Sequence, residues 1–204
     1  MSTMPFEGTY TALVTPMCDD AARSVDVAAL EALVEQQIGA GIDGLVACGT
    51  TGEAATLSSA EWQLVVETVV RASAGRVPVI AGTGSNNTRE TVHTTALARG
   101  LGVDGALVVM PYYNKPGQPG LIAHFEAVLD SADLPVVLYN VPGRTGCNML
   151  PETVAHLAGH ANTAAVKEAS GSLAQVQEII DRTNGDFAVL SGDDGLCVPM
   201  YALG

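Results

Sequence analysis

Seven short apolar runs alternate along this sequence with longer stretches of helical periodicity, which predicts an α/β fold of the (β/α)8 TIM-barrel class. Two further observations sharpen that reading. The first strand-to-helix turn, Thr15-Pro16-Met17-Cys18-Asp19-Asp20, has no glycine to cradle a pyrophosphate, which speaks against an open dinucleotide-binding sheet. The later Gly82-Thr83-Gly84 lacks the third glycine of that fingerprint. Gly41-Ile42-Asp43-Gly44 also recurs as Gly102-Val103-Asp104-Gly105, each closing a helix and opening a strand, as one repeated βα unit would.

The strands are expected at Thr9–Thr15, Gly44–Cys48, Pro78–Gly82, Ala106–Met110, Val136–Tyr139, Ala164–Lys167 and Ala188–Leu190. Each is nearly continuously apolar, as strands covered on both faces are. Between them lie helical stretches such as Asp26–Gly39, Ala60–Ala74, Thr88–Leu101, Leu121–Ser131 and Leu173–Arg182. In the first, Val27, Leu30, Leu33, Val34 and Ile38 recur at helical spacing. Ser58 and Ser59 precede Glu61 and predict a helix N-terminal cap. A complete barrel has eight units and about 250 residues. Here the seventh strand ends near Leu190-Ser191-Gly192 and the sequence stops at Gly204. The expectation is a single domain over 1–204, truncated after the seventh strand, without the eighth βα unit and C-terminal helical region. Open sheet edges would make such a fragment prone to aggregation; a genuinely shorter fold is the alternative.

Composition excludes several classes. Hydrophobic residues are 48% and charged residues 15%, so disorder is excluded. The net charge of −13, with nine Lys and Arg in all, leaves no basic cluster to displace counterions from nucleic acid. Met1 to Tyr10 has no charged segment followed by an apolar run, and nothing approaches about eighteen consecutive apolar residues. The expected location is therefore cytoplasmic, with no membrane partner. Cys18, Cys48, Cys147 and Cys197 form no metal-ligand spacing and read as buried small hydrophobes in a reducing compartment. Asp193-Asp194 alone does not make a metal site. None of His93, His124, His156 and His160 falls at a strand end, which points to surface or helix roles.

The chemistry-bearing residues fall after strands, on the rim where barrel sites are built. Of the two lysines, Lys115 and Lys167, the second ends the sixth strand in Ala164-Ala165-Val166-Lys167-Glu168. Apolar surroundings disfavour its charged form, and a neutral amine can attack a ketone to form an imine. Position alone admits equally a structural lysine paired with Glu168. Tyr139 ends the fifth strand, so it would neighbour Lys167; an aromatic plug is the alternative. Gly49-Thr50-Thr51-Gly52-Glu53 offers hydroxyls and backbone N–H groups to a carboxylate. Arg144, in Pro142-Gly143-Arg144-Thr145-Gly146, could clamp a second carboxylate, although most loop arginines are merely solvated. Tyr112 and Tyr113 follow the fourth strand, where paired tyrosines more often serve packing or an interface.

Gly49-Thr50-Thr51-Gly52-Glu53, Pro111-Tyr112-Tyr113-Asn114, Tyr139-Asn140-Val141-Pro142 with Arg144-Thr145-Gly146, and Lys167-Glu168-Ala169 together resemble the motif series of the pyruvate-dependent class I aldolase superfamily. The sequence is most similar to its 4-hydroxy-tetrahydrodipicolinate synthase (dihydrodipicolinate synthase) branch. Arg144 and the double threonine favour that branch over the N-acetylneuraminate lyase and keto-deoxy-sugar aldolase branches. The resemblance implies a lyase of diaminopimelate and lysine biosynthesis that condenses pyruvate with L-aspartate 4-semialdehyde through a Schiff base on Lys167, with no metal or organic cofactor. It implies that Tyr139 moves protons and that Thr50 links Tyr139 to a Tyr113 supplied by a neighbouring subunit. Thr51 would bind the pyruvate carboxylate and Arg144 that of the semialdehyde. The implied assembly is a homotetramer, a dimer of dimers. A lysine-feedback site would use Asn86, Glu90 and Tyr112, with Ser59 and Trp62 replacing histidines of some inhibited members. Two alternatives stand beside this reading: a related pyruvate aldolase of the N-acetylneuraminate lyase or keto-deoxy-sugar aldolase type, and a catalytically inactive truncated fragment, because the motifs can persist without an assembled barrel.

Overall fold

The computed structural model describes residues 6–19, 21–131, 133–185 and 187–204. Asp20, the last residue of the first βα turn, and Met1 to Pro5 of the stretch searched for a leader lie outside the described residues. Strands and helices alternate: β1 (Tyr10–Ala12), α1 (Val27–Gly39), β2 (Gly44–Ala47), α2 (Ser59–Ser73), β3 (Val79–Gly82), α3 (Thr88–Gly100), β4 (Gly105–Val109), α4 (Gln118–Ser131) and β5 (Val136–Asn140). There follow α5 (Pro142–Thr145), α6 (Pro151–Ala158), β6 (Thr163–Glu168), α7 (Leu173–Arg182), β7 (Ala188–Ser191) and α8 (Cys197–Tyr201). The strand order is β1 to β7 without a crossover. The ladders β1–β2, β2–β3, β3–β4, β5–β6 and β6–β7 are parallel, which is the βα progression of a TIM-type barrel.

One compact unit comprises residues 8–83 and 97–107. In α1 the predicted stripe turns inward: Leu30 and Val34 are fully buried, with Val27, Leu33 and Ile38 half-buried beside them. Asp26 caps this helix by accepting from the Ala29 N–H. The predicted cap of α2 is a reciprocal box: the Ser58 hydroxyl accepts the Glu61 N–H, and the Glu61 carboxylate accepts the Ser58 N–H at 2.8 Å.

The sequence repeat has a shared physical job. Asp43 accepts the Thr9 N–H and donates its own N–H to the Thr9 carbonyl. Asp104 does the same with Val79, at 2.8 Å in both directions. Each repeat therefore clasps the start of the preceding strand as it enters the next. Gly41 and Gly102, with φ of 86° and 83°, supply the left-handed turn that makes this approach.

The second unit comprises residues 84–96 and 108–204 with the described part of the N-terminus. Here β5, β6 and β7 form one ladder, covered by α4, α6 and α7. Helix α6 stood outside the helical stretches read from the sequence. It has only eight residues and starts on Pro151, but it buries Val154 and Leu157. An imidazole–carboxylate pair, His156 with Glu126, joins it to α4 at 2.9 Å, and His160, just past its end, reaches Asp130 of α4 at 3.2 Å.

His124 departs from a surface role. It is buried in α4, its Nδ1 lies 2.9 Å from the Thr88 hydroxyl, and its Nε2 has no partner. Burial pushes its pKa down to about 4. Between there and its ordinary value the unfolded chain binds the proton and the folded chain does not, so stability should fall as pH drops through that window. The expected loss is about 3 kcal/mol from pH 6.5 to 4. Urea midpoints across the window should show a shallower slope for His124→Gln than for the parent; equal slopes would contradict this assignment.

The cysteine expectation holds for one residue. Cys48 is buried and its thiol is pushed up to about 12 by desolvation, whereas Cys18, Cys147 and Cys197 are only half-buried. All four are free thiols.

Candidate active site

In the second unit, the β5–β6 register places Tyr139 directly opposite Lys167. The Lys167 ammonium sits over the Tyr139 ring, 4.4 Å from its centroid. Tyr139 is buried and Lys167 half-buried. Desolvation pushes the Lys167 pKa below its ordinary value; Asp194 opposes the shift and the Arg144 charge adds to it. The stem of the lysine lies against Gly192 at the end of β7. A Cβ there would stand 3.0 Å from Lys167 Cε and 2.8 Å from the Ala169 methyl. Lys167 is thus a desolvated amine held on its stem, and such an amine is a competent nucleophile toward a ketone.

The ion pair with Glu168 that position alone admitted is not formed. Strand alternation turns Glu168 to the opposite face, where it is buried among donors from Asn140, Ser170 and Gln175. Among the described residues Lys167 makes no ion pair.

Arg144 lies on α5, a single helical turn where the sequence suggested a loop. Val141 O accepts from the Arg144 and Thr145 N–H groups, and Gly146, at φ 75°, ends the turn. The Arg144 side chain is exposed and makes no salt bridge among the described residues. Across Gly146 runs the Lys115 stem, whose Cε would be 2.6 Å from a Cβ at that glycine. Tyr113 is 87% exposed and has left-handed backbone, φ 70°, as does Lys115 at 48°. Such conformations are costly for non-glycine residues and gather where a loop is fixed for a purpose. That loop is tied down by Asn114, whose amide donates to the Asn86 carbonyl at 2.7 Å. Of the three residues expected to bind lysine, Asn86 is therefore engaged with Asn114, Tyr112 is half-buried, and Glu90 is exposed in the first turn of α3.

The Thr50–Thr51 turn belongs to the other unit. Gly49 O accepts the Gly52 N–H, Thr50 O accepts the Glu53 N–H, and the Thr15 hydroxyl pins Gly52 O at 2.7 Å. Both threonines are exposed, and their hydroxyls make no hydrogen bond among the described residues. Trp62 in α2 donates its indole N–H to Gly82 O at 2.9 Å, so it is occupied within the fold. Asp193 caps the turn before α8 through the Gly195 N–H, and no group of three potential metal ligands occurs among the described residues.

Sequence reasoning missed Gly192, which the site needs as an absence of side chain, and the roles of Asn140 and Glu168. Both polar residues stood within the quoted motifs. Their positions one step beyond Tyr139 and Lys167 were a legible signal that they face the opposite side.

Comparison with known proteins places the chain in a family. The model of the "Dihydrodipicolinate synthetase family" matches residues 5–204. The 4-hydroxy-tetrahydrodipicolinate synthase of Geotalea uraniireducens is 55% identical over 199 residues, covering 98% of this chain and 68% of the relative. The chloride-inhibited dihydrodipicolinate synthase of Acinetobacter baumannii, solved with pyruvate, aligns with a TM-score of 0.94 and 45% identity, over 99% of this chain and 68% of that one. The lysine-bound enzyme of Cyanidioschyzon merolae aligns with a TM-score of 0.95 and 46% identity over the same shares. The chain spans about two thirds of the length of these relatives, and it belongs to the dihydrodipicolinate synthetase family.

Proposed function

We propose that this chain condenses pyruvate with L-aspartate 4-semialdehyde through a Schiff base on Lys167, the entry reaction of diaminopimelate and lysine synthesis. The observation that carries the reading is the desolvated Lys167 amine lying over the Tyr139 ring at the ends of two adjacent strands. The Lys167 nitrogen attacks the pyruvate ketone and water leaves, giving an imine. The protonated imine withdraws electrons, a methyl proton departs, and the resulting enamine carbon bonds to the aldehyde. The substrate amine then displaces Lys167 by cyclisation, which regenerates the enzyme.

Roles for the remaining residues are the ones that the family resemblance implies. Tyr139 carries protons during imine formation and cyclisation. Thr51 holds the pyruvate carboxylate with an unengaged hydroxyl, and Thr50 passes protons between Tyr139 and Tyr113. Arg144, a cation without a salt bridge among the described residues of a strongly acidic chain, holds the semialdehyde carboxylate. The exposure of Tyr113 on a fixed left-handed turn supports its delivery into the site of a second copy, and hence a homo-oligomeric enzyme, a dimer of dimers. Asn86, Glu90 and Tyr112 are the candidates for lysine inhibition. Among the described residues no helix is long and apolar enough to cross a membrane.

Intact-mass analysis after incubation with pyruvate and borohydride tests the reading. The parent chain should gain one reduced pyruvyl group, mapping to Lys167, and Lys167→Ala should gain none. A folded parent without the adduct, or a Lys167→Ala chain that still gains it, would overturn the assignment.

A further inference from the structure

We infer that Asn140 and Glu168 form a buried positioning pair, which fixes the β5–β6 register that sets Tyr139 opposite Lys167; the inference rests on the reaction proposed above. The two pairs are consecutive rungs of one ladder, Tyr139↔Lys167 and Asn140↔Glu168. Because side chains alternate, the first pair faces the chemistry and the second faces the helices.

Glu168 is 2% exposed and Asn140 wholly buried. The Asn140 amide reaches both Glu168 oxygens at 3.2 and 2.9 Å. The Ser170 N–H adds a bond of 2.7 Å and the Gln175 amide one of 3.1 Å. Asn140 Oδ1 accepts the Met149 N–H at 3.0 Å, and its amide also meets Asn148 Oδ1 at 2.8 Å. Asn148 in turn donates to Gln175 at 2.7 Å. Among the described residues the donors to Glu168 are all neutral, and it makes no ion pair. A buried carboxylate of this kind is poor evidence for stability, although removing it alone would strand the donors gathered round it. Its recognisable use is specificity among alternative packings.

The alternative at stake is visible in the ladder. Val136 pairs with Thr163 but Val137 pairs with Ala165, so β6 carries one extra residue at the start of the pairing. The following residues, Val137 and Leu138 against Ala165 and Val166, are all small or branched apolar groups. They discriminate weakly between registers. A slip of one residue would carry Lys167 to the helix face and bring Glu168 round to the site. Asn140 against Glu168 is the rung at which only one register pairs donors with acceptors.

The test compares Glu168→Gln, Asn140→Asp and the exchanged pair N140D/E168Q in the borohydride-trapping assay with pyruvate. Each single change should slow trapping at saturating pyruvate by roughly tenfold to a hundredfold, the loss expected for misplacing a reacting group by about 1 Å. The pyruvate concentration for half-maximal rate should stay nearly unchanged, because the carboxylate grip is elsewhere. The exchanged pair, which restores a donor opposite an acceptor, should recover most of the loss. Folded single variants that trap at the parental rate, or an exchanged pair slower than both singles, would overturn the inference. If Glu168→Gln does not fold, Glu168→Asp keeps the charge on a shorter arm and carries the same comparison. If the folded parent takes up no pyruvate, the reaction itself fails, and reductive methylation of Lys167 relative to exposed Lys115 decides the pair. A changed ratio in the variants supports it, and an unchanged one overturns it.

Discussion

Tyr139→Phe should fold like the parent and lose about two to four orders of magnitude in condensation rate, the usual cost of removing a positioned acid–base group. The substitution keeps what the ring does for the fold. The ring is buried, packs at the end of β5 and lies under the Lys167 ammonium, and a phenylalanine ring can do all three. Only the hydroxyl is lost, so the melting temperature should move little while imine formation and cyclisation both slow. Stopped-flow consumption of pyruvate, with thermal unfolding as the control, separates these effects. A variant with parental rate would make Tyr139 the aromatic plug that its position also admits, and would return proton transfer to water or to another group.

Gly82→Ala should destabilise the chain by about 3 kcal/mol or more and produce mostly unfolded or aggregated protein. A Cβ at Gly82 would lie 2.0 Å from the Cys48 carbonyl oxygen and 3.2 Å from the Gly49 nitrogen. Both are backbone atoms, so no rotamer change relieves the collision. The displaced backbone is that of Cys48, itself left-handed at φ 53°, immediately before the Thr50–Thr51 turn. The Gly82 carbonyl also holds the Trp62 indole, so the damage reaches α2. Gly100→Ala is the control, because Gly100 is the last helical residue of α3 and a Cβ there meets nothing within 4 Å. Urea unfolding of the two variants should differ by several kcal/mol; similar midpoints would show that the Cys48–Gly49 turn yields easily.

Much of this architecture was legible in the sequence. The strand ends fell within a few residues of those observed, because buried parallel strands are uninterrupted apolar runs bounded by turn residues. Helix α7 agreed at both ends, and the Ser58–Glu61 cap was readable because capping is a contact three residues long. Short elements were lost. Helix α6 is too brief for periodicity to register, and α5 is a turn of Pro-Gly-Arg-Thr whose helical form depends on the Val141 carbonyl. The buried state of His124 was likewise invisible, since neighbours in sequence do not reveal that Thr88 lies against it.

By itself the sequence determined the strand order, the strand ends at which the candidate site residues stand, and the pairing of Tyr139 with Lys167, because these follow from local periodicity and the adjacency of consecutive strands. Only the tertiary structure decided that Asn140 is the group that meets Glu168, that Gly192 must leave room for the lysine stem, and that Asp43 and Asp104 clasp the strands before them. Those outcomes rest on contacts between residues 25 to 34 positions apart, where register and backbone approach, rather than local preference, fix which groups meet.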